Sequence, residues 1–495
     1  MNEQKSSFRQ ILKATSLFGG VQVFQIIISI VRSKIIAVLL GPAGMGISGL
    51  LTSTTSLIAG LSGLGLGTSA IKNISSADAS GDEVRISIIV TVFRRLVWFT
   101  GLLGTITTLL LSSWLSEITF GNKDYTPAFI WLSITLLFNQ LSIGQSVLMQ
   151  AMRKMQYLAR ASMAGSFFGL LISAPLYYYW RIDAIVPALV LSSILGLFLE
   201  WFYGRRIKVK KVAVSIKTIL DEGKDMVQMG FMLTISGLIA TAGSYVVRIF
   251  LSAEGGVSEV GLYNAGFAII NTYVGLVFSA MGTDYYPRLS GVSHDNAQAN
   301  QLINQQSEVS ILILSPILAV FFIFINWVIV LMYSAKFMPV NGMIHWAALG
   351  MYFKAVSWSI AFILLAKGES RLFFWNELIA NAYVLLFSLI GYKWAGLDGL
   401  GVSFLVGYVV YLLQVFLLAR IKYGFSFDSG FYKIFVVQFL IGLLCFLVIR
   451  MFDTAWAYAA GLSLIAVSFI YSYREMDKRM DLRQLITDMK TRFIK

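Results

Sequence analysis

Apolar residues in this chain come in long runs of about twenty, broken by short polar or charged interruptions. At about 1.5 Å per residue, such a run matches a helix crossing the ~30 Å hydrocarbon layer of a bilayer. The ten-residue alternating segments of an outer-membrane barrel are not the pattern here. About fourteen such runs can be drawn, with limits near 14–40, 45–71, 87–113, 127–150, 157–180, 184–203, 226–252 and 261–283, then 307–333, 342–366, 372–394, 398–420, 432–452 and 455–473. The pattern predicts an all-α polytopic membrane protein of about 14 transmembrane helices. Pro175 and Pro316 fall inside predicted spans, where they would kink a helix. The closely spaced glycines of "GLSGLGLGTSA" (60–70) follow no strand, so they read as close helix packing and not as a dinucleotide fingerprint.

Charge then orients the helices. Threading the runs alternately, with the N-terminus inside, puts nearly all Lys and Arg on one side, including the block "GRRIKVKKVAVSIKTILDEGK" (204–224). The opposite side receives only Lys123, Arg181, Lys336, Lys393 and Arg450. That asymmetry is the positive-inside rule. It accounts for the net charge of +14 without a nucleic-acid partner and predicts cytoplasmic N- and C-termini. The N-terminal run lacks a small-residue cleavage site and reads as a cytoplasmic end, not a signal peptide. The 204–224 block and the tail "MDLRQLITDMKTRFIK" read as amphipathic strips on anionic headgroups.

An internal repeat suggests how the spans group. Arg32 stands 14 residues before Gly46, and Arg248 stands 13 before Gly261; each glycine opens an apolar run that ends near a cation. This predicts an N-terminal lobe (1–203, helices 1–6), a basic cytoplasmic linker (204–225) and a C-terminal lobe (226–421, helices 7–12). Two extra helices (422–473) and a cytoplasmic amphipathic tail (474–495) follow.

Composition narrows the chemistry. The chain is 57% hydrophobic and 13% charged, with one cysteine, Cys445, and two distant histidines, His294 and His345. That excludes a disulfide framework and a cysteine metal cluster, and supplies neither a catalytic site nor a resident cofactor. The informative residues are charges within the apolar runs, since a charge at a bilayer centre costs about 2.5–3.5 kcal/mol on insertion scales. Arg32 and Lys34 interrupt the first run, about 200° apart around a helix. Arg248 lies about one turn from the outward end of the seventh, within snorkelling reach. Lys354 sits near the middle of the tenth run, and Glu377, in the eleventh, is its candidate partner. The deep charges are nearly all positive, which favours an anion, and a diphosphate suits Arg forks and Lys point charges.

The segments "LLGPAGMGISGL", "FGNKDY" and "YYPRLS", with the longer "LMYSAKFMPVNGMIHWAALGMYFKAVSWSIAFILLAKGESRLFFWNEL" (331–378), resemble the bacterial lipid-linked O-antigen translocases. These form the Wzx group of the multidrug/oligosaccharidyl-lipid/polysaccharide exporter superfamily. The resemblance implies two pseudo-symmetric six-helix lobes in a V around a central cavity. It also implies a flippase of the inner membrane, moving undecaprenyl-diphosphate-linked O-antigen repeat units from the cytoplasmic to the periplasmic leaflet by alternating access. Lys34, Arg248 and Lys354 would hold the diphosphate, with Arg32 lacking an equally clear counterpart, and Glu377 would exchange charge with Lys354. Protons or sodium are the candidate coupling ions, and other polysaccharide assembly proteins are candidate partners. A drug or cation antiporter on the same fold would call for acidic cavity residues instead. A membrane-embedded polymerase or glycosyltransferase would call for a sizeable outward loop, and the loops here are short.

Overall fold

The computed structural model describes residues 2–480 apart from 208, 211 and 453, and the described residues are almost entirely helical. The first helices are α1 (Asn2–Leu39), α2 (Gly41–Gly63), α3 (Leu66–Ser80), α4 (Glu83–Leu110), α5 (Ser112–Phe120) and α6 (Thr126–Ala151). They are followed by α7 (Met155–Trp180), α8 (Ile185–Gly204), α9 (Ile216–Gly255) and α10 (Val257–Phe267). A π-helical turn, Ala268–Val274, leads into α11 (Leu276–Gly291). The chain continues through α12 (Asn296–Met332), a 3₁₀ turn (Ala335–Val340), α13 (Asn341–Ala366), α14 (Ser370–Tyr423), α15 (Ser429–Met451) and α16 (Thr454–Met480). The amphipathic reading of the tail beyond Met480 lies outside the described residues.

Local chemistry sets the helix limits. Asp82 caps α4, its carboxylate accepting from Val84 N (2.9 Å) and Arg85 N (3.0 Å), and Ser215 caps α9 by accepting from Thr218 N (3.1 Å). Pro42 lies at the start of α2, where a missing N–H costs nothing. Within α14, Ala395 and Gly396 leave helical geometry, Gly396 with φ +58°, so this element is two helices meeting at a kink. That kink falls between the expected eleventh and twelfth spans. Pro175 and Pro316 are accommodated inside α7 and α12.

Ten helical stretches among the described residues are long and apolar enough to cross a membrane. Two of them, Met155–Gly204 and Ser370–Tyr423, each contain two helices, so the ten stretches carry twelve of the expected spans. The expected seventh and eighth spans fall on α9 and on α10 to α11, which are not among the ten.

The chain forms two compact units, Met1–Gly261 with Met332–Ser334, and Leu262–Leu331 with Ala335–Lys495. The division falls at Gly261, and α9 packs on α2, α3 and α4 of the first unit. The linker docks onto that unit as well: Ile207 is buried in its core, Val209 packs against it, and exposed Lys210 pairs with Glu83 at 2.6 Å. One core of the first unit gathers Leu66, Ile74, Val90, Phe93 and Met149; another gathers Ile47, Leu51, Phe129, Leu132 and Ile185. In the second unit, Leu314, Phe322, Phe337, Tyr352 and Ile360 are fully buried. Burying such side chains stabilises a fold by about 1.5–3 kcal/mol each.

The glycine-rich stretch 60–70 serves packing, as expected. It contains the break between α2 and α3, where Leu64 and Gly65 are left-handed. A Cβ on Gly230 of α9 would lie 2.6 Å from Gly65 O. The two glycines equated by the internal repeat also meet. A Cβ on Gly46 would lie 1.9 Å from Val257 O, and one on Gly261 would lie 1.9 Å from Pro42 O. Each glycine thus faces the carbonyl four residues before the other.

Candidate functional site

The charges singled out in the sequence fall into separate neighbourhoods. In the first unit, Arg32, Lys34 and Arg248 are all half-buried. Arg32 turns from α1 toward α7, where a Cβ on Gly169 would lie 3.1 Å from its guanidinium. The absent side chain at Gly169 is what leaves it room, and Arg32 Nε is buried there without a hydrogen-bond partner among the described residues. Lys34, two residues on, leaves α1 in another direction, so one ligand does not face both squarely. Arg248 folds back along α9, donating to Ser244 O at 3.0 Å and to the Ser244 hydroxyl. Lys34 and Arg248 both have further partners. The helix carrying Arg248 runs on to Gly255, seven residues or about 10 Å beyond it, which is deeper than the single turn expected.

In the second unit, Lys354 occupies the middle of α13, thirteen residues or about 20 Å from the first residue of that helix. A lysine stem does not span that distance to a headgroup layer. Its ammonium donates to Asn271 Oδ1 at 2.8 Å and lies over the rings of Tyr408 (5.1 Å) and Phe404 (5.6 Å). Asn271 is presented by the π-helical turn, a local widening of the helix often found at functional positions. All three partners are neutral. They stabilise the ammonium through a hydrogen bond and ring quadrupoles without cancelling its charge.

The ion pair expected between Lys354 and Glu377 is not formed in this structure. Glu377 instead accepts from Tyr411 OH at 2.6 Å and from Asn376 Nδ2 at 3.3 Å. Asn376, 3% exposed, is locked in turn by Gln414 Nε2, which donates to its Oδ1 at 2.8 Å and its backbone carbonyl at 3.0 Å. The reason is rotational. The kink folds the second half of α14 back beside the first, so Tyr411 and Gln414 reach Glu377 before α13 can. Lys354 and Glu377 are nonetheless linked through rings. Phe404, Tyr408 and Tyr411 stand at i, i+4 and i+7 on one helix face, with centroids 4.7 Å and then 6.2 Å apart.

Sequence reading missed Asn271, Tyr408, Tyr411 and Gln414. The signals were present, as an amide inside an apolar run and as aromatic residues at helical spacing. Aromatic residues at that spacing are common in any membrane helix, and an exposed amide gains meaning only once Lys354 is found beside it. The arrangement can hold a cation-bearing surface and, one helix face away, a hydrogen-bonded carboxylate. Among the described residues no group of three or more His, Cys, Asp or Glu side chains is placed to hold a metal ion.

Comparison with known proteins agrees with this architecture. The chain is 21% identical over 405 residues to proteins named lipid III flippase from Escherichia coli (strain K12) and Shigella flexneri, covering 78% of this chain and 93% of each relative. Among solved structures, it is similar to the lipid II flippase MurJ in an inward closed conformation (TM-score 0.68, 13% identity), over 95% of this chain and 99% of that one. It is also similar to an inward-facing MATE family multidrug resistance transporter of the MOP superfamily (TM-score 0.68, 15% identity), over 83% of this chain and 96% of that one. These relatives are transporters, not enzymes, and the expected resemblance to their superfamily is met. The family model described as "Polysaccharide biosynthesis protein" matches residues 11–293, more than half the chain, and the chain belongs to that family, on the fold shared by MurJ and the MATE transporters.

Proposed function

We propose that this protein is a flippase for undecaprenyl-diphosphate-linked O-antigen repeat units, carrying them from the cytoplasmic to the periplasmic leaflet of the inner membrane by alternating access. The observation that carries the reading is Lys354, a lysine mid-way along a buried helix whose partners are all neutral. A charge at that depth along a spanning helix is costly, and with neutral partners it stays available to an anion. Lys34 and Arg248, with Arg32 a weaker participant, supply the other cations on the spanning helices. The polyprenyl chain stays in lipid while the headgroup passes. The lipid III and lipid II flippases named among the similar proteins support a lipid-linked cargo, and the charge asymmetry of the loops supports cytoplasmic termini.

Glu377 serves as the group that couples transport to an ion gradient, of protons or sodium. Its carboxylate is held by Tyr411 and Asn376, not by a cation, so it is free to take up either. A shift in its occupancy then changes the Tyr411–Tyr408 ring contact that leads to Lys354, which gives substrate and ion a shared two-state element. The test is genetic. Deletion of the gene should abolish surface polymer on gels and accumulate lipid-linked repeat units. Normal surface polymer in a strain with no second flippase contradicts the proposal.

A further inference from the structure

The second unit contains a polar cavity that the transport reading does not use. It has a volume of about 300 Å³ and lies where α12 gives way to α13, closed by the last turn of α15 and the first turns of α16. That volume is at the lower end of the range for small-molecule sites. Helices α15 and α16 are the two expected to lie outside the six-helix lobes.

Four side chains give the cavity its chemistry. Arg450 is held by two rings, its guanidinium 4.5 Å from the Phe446 centroid and 5.1 Å from that of Trp346, which orients the fork without neutralising it. Asn341 donates its amide N–H to Asn326 Oδ1. Its own Oδ1 is buried with no hydrogen-bond partner among the described residues, and a buried acceptor left empty calls for a donor. Tyr458 accepts from Trp327 Nε1 at 2.8 Å, which leaves its own O–H to donate. His345, 5% exposed, directs Nε2 to Phe322 O at 3.1 Å; a carbonyl only accepts, so that nitrogen carries the proton and Nδ1 is left as an acceptor. Behind this lining, the Asp398 carboxylate packs against Gly342, the cavity glycine at the start of α13.

We propose that this cavity binds an anionic polyol, a carboxylate or phosphate carried beside free hydroxyls. The anion belongs at Arg450. The hydroxyls belong toward Asn341 Oδ1, which accepts, and not the anion, which at that end would approach the Asp398 carboxylate behind Gly342. Two sources present this chemistry, an acidic sugar of the transported cargo and the phosphoglycerol headgroup of a membrane lipid. The site goes beyond the flippase reading and needs no transport to be tested.

The experiment uses the full chain purified into phosphatidylcholine nanodiscs, with tryptophan fluorescence followed as glucuronate, sn-glycerol 1-phosphate or glucose is added to tens of millimolar. Trp346, stacked on Arg450, is the reporter. Both anions should give a saturable change, with glucose at least tenfold weaker. Arg450→Gln and Asn341→Leu should each weaken glucuronate at least tenfold, and Arg450→Lys should fall between, since it keeps charge but loses the fork. Lys123→Gln, a cation of the first unit, should bind as wild type. Repeating the titration in phosphatidylglycerol nanodiscs assigns the source: at least tenfold weaker glucuronate binding marks the lipid headgroup as occupant, and unchanged binding marks the sugar. No saturable response to either anion, glucose binding as tightly as glucuronate, or wild-type affinity in Arg450→Gln and Arg450→Lys proteins of normal elution overturns the proposal.

Discussion

Replacing Gly261 with Ala isolates the packing of α2 against the first turns of α10. In a helix interior, glycine to alanine ordinarily stabilises by about 0.5–1 kcal/mol, because the unfolded chain loses freedom. Here the new Cβ would stand 1.9 Å from Pro42 O, and non-bonded carbon and oxygen approach to about 3.3 Å at closest. The helices must therefore part by roughly 1.4 Å, and overpacking of that kind costs about 1–3 kcal/mol. The steric term outweighs the entropic one, so the net effect is destabilisation by about 1–2 kcal/mol, a drop of a few degrees in thermal midpoint. Gly46→Ala meets Val257 O at the same 1.9 Å and should behave alike. Because either substitution separates the same pair of helices, the double variant should lose less than the two singles together. The assay is thermal unfolding of detergent-solubilised protein, followed by fluorescence-detected size exclusion. A midpoint that holds or rises in either single variant, or strict additivity in the double, refutes the argument from this crossing.

Three other substitutions probe separate contacts. Tyr411→Phe removes the 2.6 Å donor to Glu377, and since a hydrogen bond to a charged group is worth about 1.5–3 kcal/mol, transport should fall about tenfold or more with expression intact; an unchanged rate detaches that contact from function. Arg85 and Glu222 form a two-bonded pair (2.5 and 2.9 Å) whose side chains are 45% and 27% exposed, so a double-mutant cycle should return a coupling of only about 0.2–1 kcal/mol that fades in high salt. Asp295 accepts from Ala297 N and Gln298 N at the start of α12, and these bonds hold its carboxyl below its ordinary value of 3.8. The folded state favours the charged form, so the stabilisation is present above pH 3.8 and is lost as pH falls below it. Asp295→Ala should accordingly lower the thermal midpoint at neutral pH, with the gap from wild type closing in acid.

Much of the fold was legible because a bilayer leaves the chain few options. A run such as 432–452 has the length and apolarity of a span, and the observed α15 (Ser429–Met451) departs from it by only a few residues. The break in α14 was legible too, as the short Ala-Gly-Leu interval between 394 and 398, where the structure places Gly396 at φ +58°. Grouping was less legible. Sequence shows where charge accumulates, at 204–225, but not that α9 packs on α2 to α4. The site shows the same contrast. Depth marked Lys354, since distance along a helix is countable from sequence. The direction of the Glu377 carboxylate depends on helix rotation and on what a kink brings alongside, and neither is encoded in spacing. Likewise Asn271 faces Lys354 from a π turn, which no periodicity of 3.6 anticipates.

The central claim is that the uncancelled charge of Lys354 binds the diphosphate, and its most direct measurement is the leaflet distribution of lipid-linked repeat units in cells carrying Lys354→Ala. With the variant at wild-type abundance in the membrane, the account predicts accumulation of those units on the cytoplasmic side and loss of surface polymer, with Lys354→Arg restoring part of the activity through its retained charge. Full export by Lys354→Ala contradicts it.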